Sequence, residues 1–552
     1  MNFDRNTVTG FIVLAILFIG YFFYTSKEQQ AYRQQKARQD SIANANKPKL
    51  DTLVQRKDSL KTDSLNRIVK AGRFQQAVNG AEQLTTVETN LLKITFTNRG
   101  GQPKGVELKH FKGPDSTNVK LASTDFDKFT YIIAPSPNET ADITNFFFSG
   151  GQVKKNADGS KTITYQLHSA DGEDIVHQFV IPDNDYMIYF NIQLNGVNQL
   201  LSNNTLNITW QNKAIQLQRD LSYEKGQSKV AYRVNNDYDW SRALSSNNKE
   251  FDKPVNWVSV KQQFFNTTLI AKNNFSSGRI QWIVPANNQD KTIVEAIANL
   301  RLQLPASTNV IVPLAFYYGP TDYKIMKKYG NEMEDMVDLG SGIYAFVKYI
   351  NRWIIIPVFD LFRRVTSNYG FAILLLTLFI RLLISPLTYK SYLSGAKMKV
   401  LRPEIDKLRA RYGNDQQQMS MEQMKLFREA GVNPLGGCIP ALLQIPIFFA
   451  LFSFFNSNVA LRGQKFLWAS DLSQYDSIAT LPFNIPFFGD HISLFTITAT
   501  LTSFLISIYS MSMTPDQGNP VLKYMPYIFP VILLFIFNKQ PAALTWYYTV
   551  SN

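Results

Sequence analysis

From about Thr85 to about Tyr318 apolar and polar residues alternate with a period of two, and after them the apolar residues recur at helical spacing. Leu92, Ile94 and Phe96 stand against Lys93, Thr95 and Thr97, and Ile163, Tyr165 and Leu167 lie between Thr162, Thr164 and Gln166. Ile188, Phe190, Ile192 and Leu194 repeat the pattern, as do Leu300, Leu302 and Leu304. Turn signals such as Arg99-Gly-Gly, Lys112-Gly-Pro-Asp and Ala157-Asp-Gly separate the runs. Half-buried strands of this kind predict a large antiparallel β-sandwich over 85–335. Beyond Gly319, Ile343, Phe346, Val347, Ile350, Trp353 and Ile354 gather on one helical face and Lys348 and Arg352 on another. That spacing predicts an amphipathic helix over 341–366, lying on a membrane surface or packed on the sandwich, with a break or kink at Pro357.

Charge-free apolar runs complete the layout. Val8 to Tyr24 carries no charge and no small-residue cleavage site follows Phe23, which predicts an uncleaved signal anchor over 1–25. Residues 26–84 are rich in Gln, Lys, Asp, Ser and Asn and read as a flexible tether. Further spans are expected over 367–388, 435–456, 491–512 and 521–538, and 541–552 reads as the opening of a sixth span that the sequence cuts short. The stretch Leu387 to Val432 holds Lys390, Lys397, Lys399, Arg402, Lys407, Arg409, Arg411, Lys425 and Arg428, whereas Ser457 to Asp490 holds only Arg462 and Lys465. By the positive-inside rule, 389–433 is then a cytoplasmic helical hairpin. The loop 457–490 falls outside, 513–520 inside, the amino terminus inside and the sandwich in the periplasm. The expected fold class is an α-helical polytopic membrane protein with five core helices and an N-terminal anchor helix, carrying a large antiparallel β-sandwich periplasmic domain.

The formal charge of +14 changes this picture little, because the basic residues flank apolar spans, where anionic lipid accounts for them without a direct nucleic-acid site. One cysteine, Cys438, makes no intramolecular disulfide, and His110, His168, His177 and His491 show no ligand spacing with it, so no metal is expected. Phosphate-binding loops, H-E-x-x-H, G-x-S-x-G and clustered intramembrane carboxylates are all missing. Ser394-Gly-Ala-Lys397 matches S-x-x-K but lacks its companion motifs. No catalytic residues and no cofactors are expected.

Arg381 stands out, inside the run Tyr369-Gly-Phe-Ala-Ile-Leu-Leu-Leu-Thr-Leu-Phe-Ile-Arg-Leu-Leu-Ile. An Arg at a helix centre costs roughly +2.5 to +3.5 kcal/mol to insert, so it faces water, a partner or protein, or else snorkels to the headgroups. Thr377 lies one turn before it, Gln444 on a neighbouring span, and Tyr548 near the end. Together these could line a wet cavity that admits a polar segment part of the way into the bilayer. A hydroxyl that merely bonds back to its own helix, or glues two helices, is the plainer account of any single Thr or Ser.

Asn433-Pro-Leu-Gly-Gly-Cys-Ile-Pro-Ala-Leu-Leu-Gln-Ile-Pro-Ile-Phe448 and Leu544-Thr-Trp-Tyr-Tyr-Thr-Val-Ser-Asn552 resemble the signature stretches of the YidC/Oxa membrane-protein insertases. Arg381 before Ser385-Pro-Leu-Thr388, the basic hairpin, Met513-Thr-Pro ahead of Tyr524-Met-Pro526, and Asn98-Arg-Gly-Gly resemble that family in order and spacing. The resemblance implies an insertase and chaperone for nascent inner-membrane proteins, with Arg381 as the positive charge of a groove lined by Thr377, Gln444 and Tyr548, and Phe448 on a hydrophobic slide. It implies recruitment through the hairpin, carried here by Lys397, Lys399, Arg402, Lys407, Arg409 and Arg411. The partners it implies are nascent membrane proteins, the Sec translocon, the ribosome or its targeting machinery, and anionic lipids, with a monomer sufficing. A small-solute transporter and an anchored periplasmic binding or sensor module are the rival readings; the first wants related halves and broken helices, and no such repeat is visible.

Overall fold

The computed structural model describes residues 71–552 apart from 287–289, 413–414, 432–438, 487 and 514–519. The expected anchor over 1–25, the tether up to residue 70, Asn433 to Cys438 of the quoted stretch, and Thr514 and Pro515 lie outside the described residues. The chain divides into two compact units, one ending at Val337 and the other running from Asp338 to Asn552.

The first unit is β-rich and sandwich-like. A nine-stranded sheet has at its centre the neighbouring strands Val255–Lys261, Phe265–Phe275, Asn309–Pro320, Met187–Asn195, Asp174–Ile181 and Lys161–His168, each pair antiparallel. A six-stranded sheet is built around Ser277–Ile283, Thr292–Gln303, Thr205–Ile215 and Lys128–Ser136. Aromatic rings join the two faces: Phe129 of the smaller sheet meets Phe190 at 5.3 Å and Phe316 at 5.5 Å, both of the larger. The expected alternation is real, since Ile163, Tyr165 and Leu167 are buried, as are Ile188, Phe190, Ile192 and Leu194. Gly100 and Gly101 both adopt positive φ, +73° and +54°, which is why the turn after Arg99 needs two residues without a Cβ.

The second unit is helical. It opens with Val347–Ile350, a π turn over Asn351–Ile355 and a helix over Ile356–Val365. Pro357 therefore neither stops nor sharply breaks the amphipathic segment: the chain widens into a π turn just ahead of the proline, which cannot donate to the ladder. Trp353, Leu361 and Val365 are exposed while Ile355 and Phe359 are buried.

Among the described residues seven α-helices follow: α1 (Tyr369–Val400), α2 (Arg402–Tyr412), α3 (Gln416–Glu429), α4 (Ile439–Ser457), α5 (Leu494–Met513), α6 (Pro520–Phe537) and α7 (Ala542–Ser551). Among the described residues α1 is the helix long and apolar enough to cross a membrane on length and composition alone. It runs unbroken past Thr388, where the sequence places the end of a span, and so takes in about the first quarter of the expected hairpin. The reason lies at Pro386. The proline leaves the Leu382 carbonyl without its helical donor, and Ser385 Oγ fills the vacancy at 2.8 Å. The hairpin itself is α2 against α3, held by buried Met398, Ile405 and Phe427 with Leu401, Met419 and Leu426 around them. Met421 and Met424 of α3 recur at helical spacing with Phe427 yet are exposed.

Loop 457–490 is not a plain connection. It folds onto the ends of α5 and α6 through buried Asp476, which accepts from Trp468 Nε1 (2.9 Å), Ser493 Oγ (2.5 Å) and the Phe495 amide (3.0 Å). Asn538 ties the other side, accepting from the Ser493 amide and donating to the carbonyls of Phe488 and His491. A two-stranded hairpin, Ala479–Ile485 with Gly489–Ile492, closes the loop.

Candidate functional site

The site grows from the packing of α1, α4 and α7. Ile373, Leu376, Thr377, Ile380 and Ile384 form the buried stripe of α1, three and four residues apart, while Leu378, Leu382 and Leu383 face outward. Gly370 sits where a Cβ would come within 2.0 Å of the Phe466 ring, and its carbonyl accepts from Trp546 Nε1 at 3.0 Å. That close approach pins the first turn of α1 to α7.

Arg381 follows Thr377 by one turn and lies half-buried at the margin of the stripe. Its Nε is buried and has no hydrogen-bond partner. Tyr547 and Tyr548 of α7 are within electrostatic reach of the guanidinium. The Gln444 side chain, half-buried on α4, meets the Tyr547 hydroxyl. Tyr548 is 7% exposed, and its hydroxyl also lacks a partner. Phe448 stacks beside this pair, 5.8 Å from Tyr548 and 6.4 Å from Phe537, and forms one wall with Phe452.

Of the residues the sequence singles out, Arg381, Gln444, Phe448 and Tyr548 are thus brought together. Thr377 is buried at 1% exposure, but its hydroxyl donates to the Ile373 carbonyl at 2.7 Å. The polar atom is spent on its own helix, as serine and threonine hydroxyls commonly are. Sequence reasoning missed Tyr547, since adjacency to Tyr548 does not tell which ring turns toward Arg381. Some hydroxyls of α5 join helices: Thr498 Oγ1 meets Thr549 Oγ1 at 2.9 Å, and Asn552 Nδ2 donates to Ser503 Oγ at 2.6 Å. The basic residues stand apart from this site. Lys397 is four and a half turns further along α1, about 24 Å at 1.5 Å rise per residue. Lys397, Lys399, Lys407, Arg409 and Arg411 are exposed, Arg402 is half-buried, and Lys407 pairs with Glu404 at 2.8 Å.

Comparison with known proteins matches residues 84–356 to the YidC periplasmic domain and residues 361–552 to the 60Kd inner membrane protein family. The membrane protein insertase YidC of Amoebophilus asiaticus is 32% identical over 100% of this chain and 90% of its own length. That of Phocaeicola vulgatus is 31% identical over 100% and 89%. The chain belongs to the YidC family of membrane protein insertases. The family resemblance drawn from the two quoted stretches is therefore correct, and the β-rich unit is the region matched by the YidC periplasmic domain. Members of the YidC family are inner-membrane proteins named as insertases and not as enzymes. A crystal structure of an active YidC insertase with its first transmembrane domain resolved matches 91% of this chain and 97% of its own, at 18% identity and a TM-score of 0.32.

Proposed function

We propose that this chain inserts and helps to fold nascent inner-membrane proteins through a groove centred on Arg381, alone or beside the Sec translocon. The observation that carries the reading is the pair of buried donors left open at one place, Arg381 Nε and the Tyr548 hydroxyl. Leaving either unpaired costs about 1–3 kcal/mol or more, a cost that a passing polar segment would relieve. Gln444 and Tyr547 add polar lining to the same spot, and Phe448 and Phe452 offer an apolar wall along which a client helix slides.

In this reading α1, α4, α5 and α6 cross the bilayer and α7 lies at membrane depth. α4 and α5, at 19 and 20 residues, span about 29–30 Å. The α2–α3 hairpin faces the cytoplasm with its exposed lysines and arginines, where anionic lipid and the ribosome or its targeting machinery lie, and the sandwich faces the periplasm. The groove is lined from one chain, so a monomer suffices. The work comes from the client, whose apolar residues gain about 25 cal/mol per Å² removed from water. The groove shortens the lipid-only path of its polar flank, and the guanidinium attracts acidic flanks.

Replacing Arg381 by Ala tests this with clients that differ only in their translocated segment. Insertion of an acidic segment is expected to fall on the order of tenfold, the worth of one hydrogen bond to a charged group, and a neutral one much less. A uniform loss, or none, would remove the electrostatic role.

A further inference from the structure

We infer that the hairpin Ala479–Ile485/Gly489–Ile492 is a lipid-contacting element that rests in the headgroup boundary of the bilayer. This rests on reading α5 and α6 as membrane spans. The hairpin joins the two helices at one end: Ile478 N donates to the Ile492 carbonyl just before α5, and Phe488 packs on α6, 5.7 Å from Phe535 and with its carbonyl held by Asn538. Phe535 continues into the outward row Phe529, Ile532 and Ile536 of α6, a face with only hydrocarbon as a plausible neighbour if α6 crosses the membrane.

The sequence of the hairpin fits that neighbour. From Ser477 to Pro486 it carries no charge, and Ile478 and Phe483 are 51% and 62% exposed. Pairing is lost between Thr480 and Ile485, so Leu481 to Asn484 bulge out, and the bulge holds Phe483 away from the protein. Two strands with one edge open and an uncovered aromatic are barely stable in water and invite aggregation.

Depth follows from the backbone. Asn538 covers the second strand at His491, but among the described residues no further strand pairs with the outer edge of Ala479–Ile485, and the Asp490 side chain is exposed; open backbone and a carboxylate are what hydrocarbon does not tolerate and hydrated headgroups do. Trp468 marks the same level: its indole N–H is fixed on Asp476, one face lies 4.4 Å from Phe495, and the rest is exposed. Tryptophan favours the membrane interface for this combination of apolar body and polar edge. The occupant is therefore lipid, and the hairpin sets the depth at which the α5 and α6 ends ride.

The test places a single environment-sensitive nitrobenzoxadiazole label on the full chain, in a Cys438→Ser background, at Phe483→Cys. The protein is reconstituted alone in phosphatidylcholine vesicles. Lys154→Cys in the sandwich serves as the water reference and Leu505→Cys on α5 as the lipid reference. A lipid bearing a nitroxide near its headgroup is expected to quench the 483 label several-fold more than the 154 label, and iodide to quench it several-fold less. Iodide quenching equal to that at 154 overturns the proposal, and so does shielding from both quenchers, which means protein covers the hairpin. If 505 is quenched by lipid and 483 is not, the hairpin proposal alone falls. If 505 is open to iodide as well, the membrane spans fall and the hairpin with them. Ile478→Cys repeats the measurement should Phe483→Cys fail to accumulate.

Discussion

Buried polar groups are handled in opposite ways at His177 and its neighbours in the sandwich and around Arg381 in the helical unit. In the sandwich, His177 is fully buried between sheets, yet its Nδ1 lies 2.8 Å from the Gly101 carbonyl and its Nε2 2.8 Å from the Tyr131 hydroxyl. Burial keeps the ring neutral, so Nδ1 donates to the carbonyl and Nε2 accepts from the hydroxyl. Buried Glu224 accepts from the amides of Leu217 and Gln218 and from Gln262, and Asp127 from Thr124, Asn212 and the Lys213 amide. Around Arg381 the accounts stay open, because Arg381 Nε and the Tyr548 hydroxyl are buried without partners. A group that is satisfied in place stabilises a fold. One left unsatisfied costs about 1–3 kcal/mol, and such a cost is retained where something else is to complete it.

The largest effect is expected at His177. Burial pulls its imidazole down to about 4 from an ordinary 6.5. The unfolded chain thus binds the proton first, so the stability His177 confers is present above pH 6.5 and lost as pH falls toward 4, amounting to roughly 3 kcal/mol. Pulse proteolysis of the sandwich in the full chain at pH 7 and pH 4.5 is expected to show that loss. His177→Phe is expected to lower stability at pH 7 by roughly 2–4 kcal/mol, by stranding the Gly101 carbonyl and the Tyr131 hydroxyl, and to flatten the pH dependence. An unchanged pH slope in the variant would move the titration to another group.

Tyr548→Phe probes the other side of the comparison. Removing a hydroxyl without a protein partner is expected to leave stability within about 0.5 kcal/mol or raise it, while insertion of polar-flanked clients drops severalfold. A melting temperature lowered by several degrees with insertion unchanged would make that hydroxyl structural. The smallest effect belongs to Thr377→Val. Its hydroxyl is already bonded to Ile373, so the nearly isosteric change is expected to shift stability by less than about 1 kcal/mol and insertion by less than twofold. A loss matching that of Arg381→Ala would return Thr377 to the groove lining.

Much of this was legible in the residues. Period-two alternation with glycine turns specified the strands, because each buries one face and the opposite face must stay polar. A guanidinium in an apolar run marked the centre of the candidate site, because charge in that setting is costly enough to invite a function. The bonds that neutralise an irregularity were harder to see: Ser385 supplying the donor that Pro386 lacks carried α1 twelve residues beyond Thr388, and a π turn carried the surface helix past Pro357.

Local order thus came from the sequence, through spacing, turn residues and the charge carried by each run. Which open donors meet was decided by tertiary structure alone. Arg381 and Tyr548 lie far apart in the chain, and only the packing of α1 on α7, locked by Trp546 against Gly370, brings them into reach of each other. The same holds for the hairpin on Asp476 and Asn538: the charge-free residues of its first strand look like an ordinary buried strand until the fold leaves Phe483 uncovered. Periodicity states that a residue has a buried or an open face, and only the arrangement of the neighbours states what fills it.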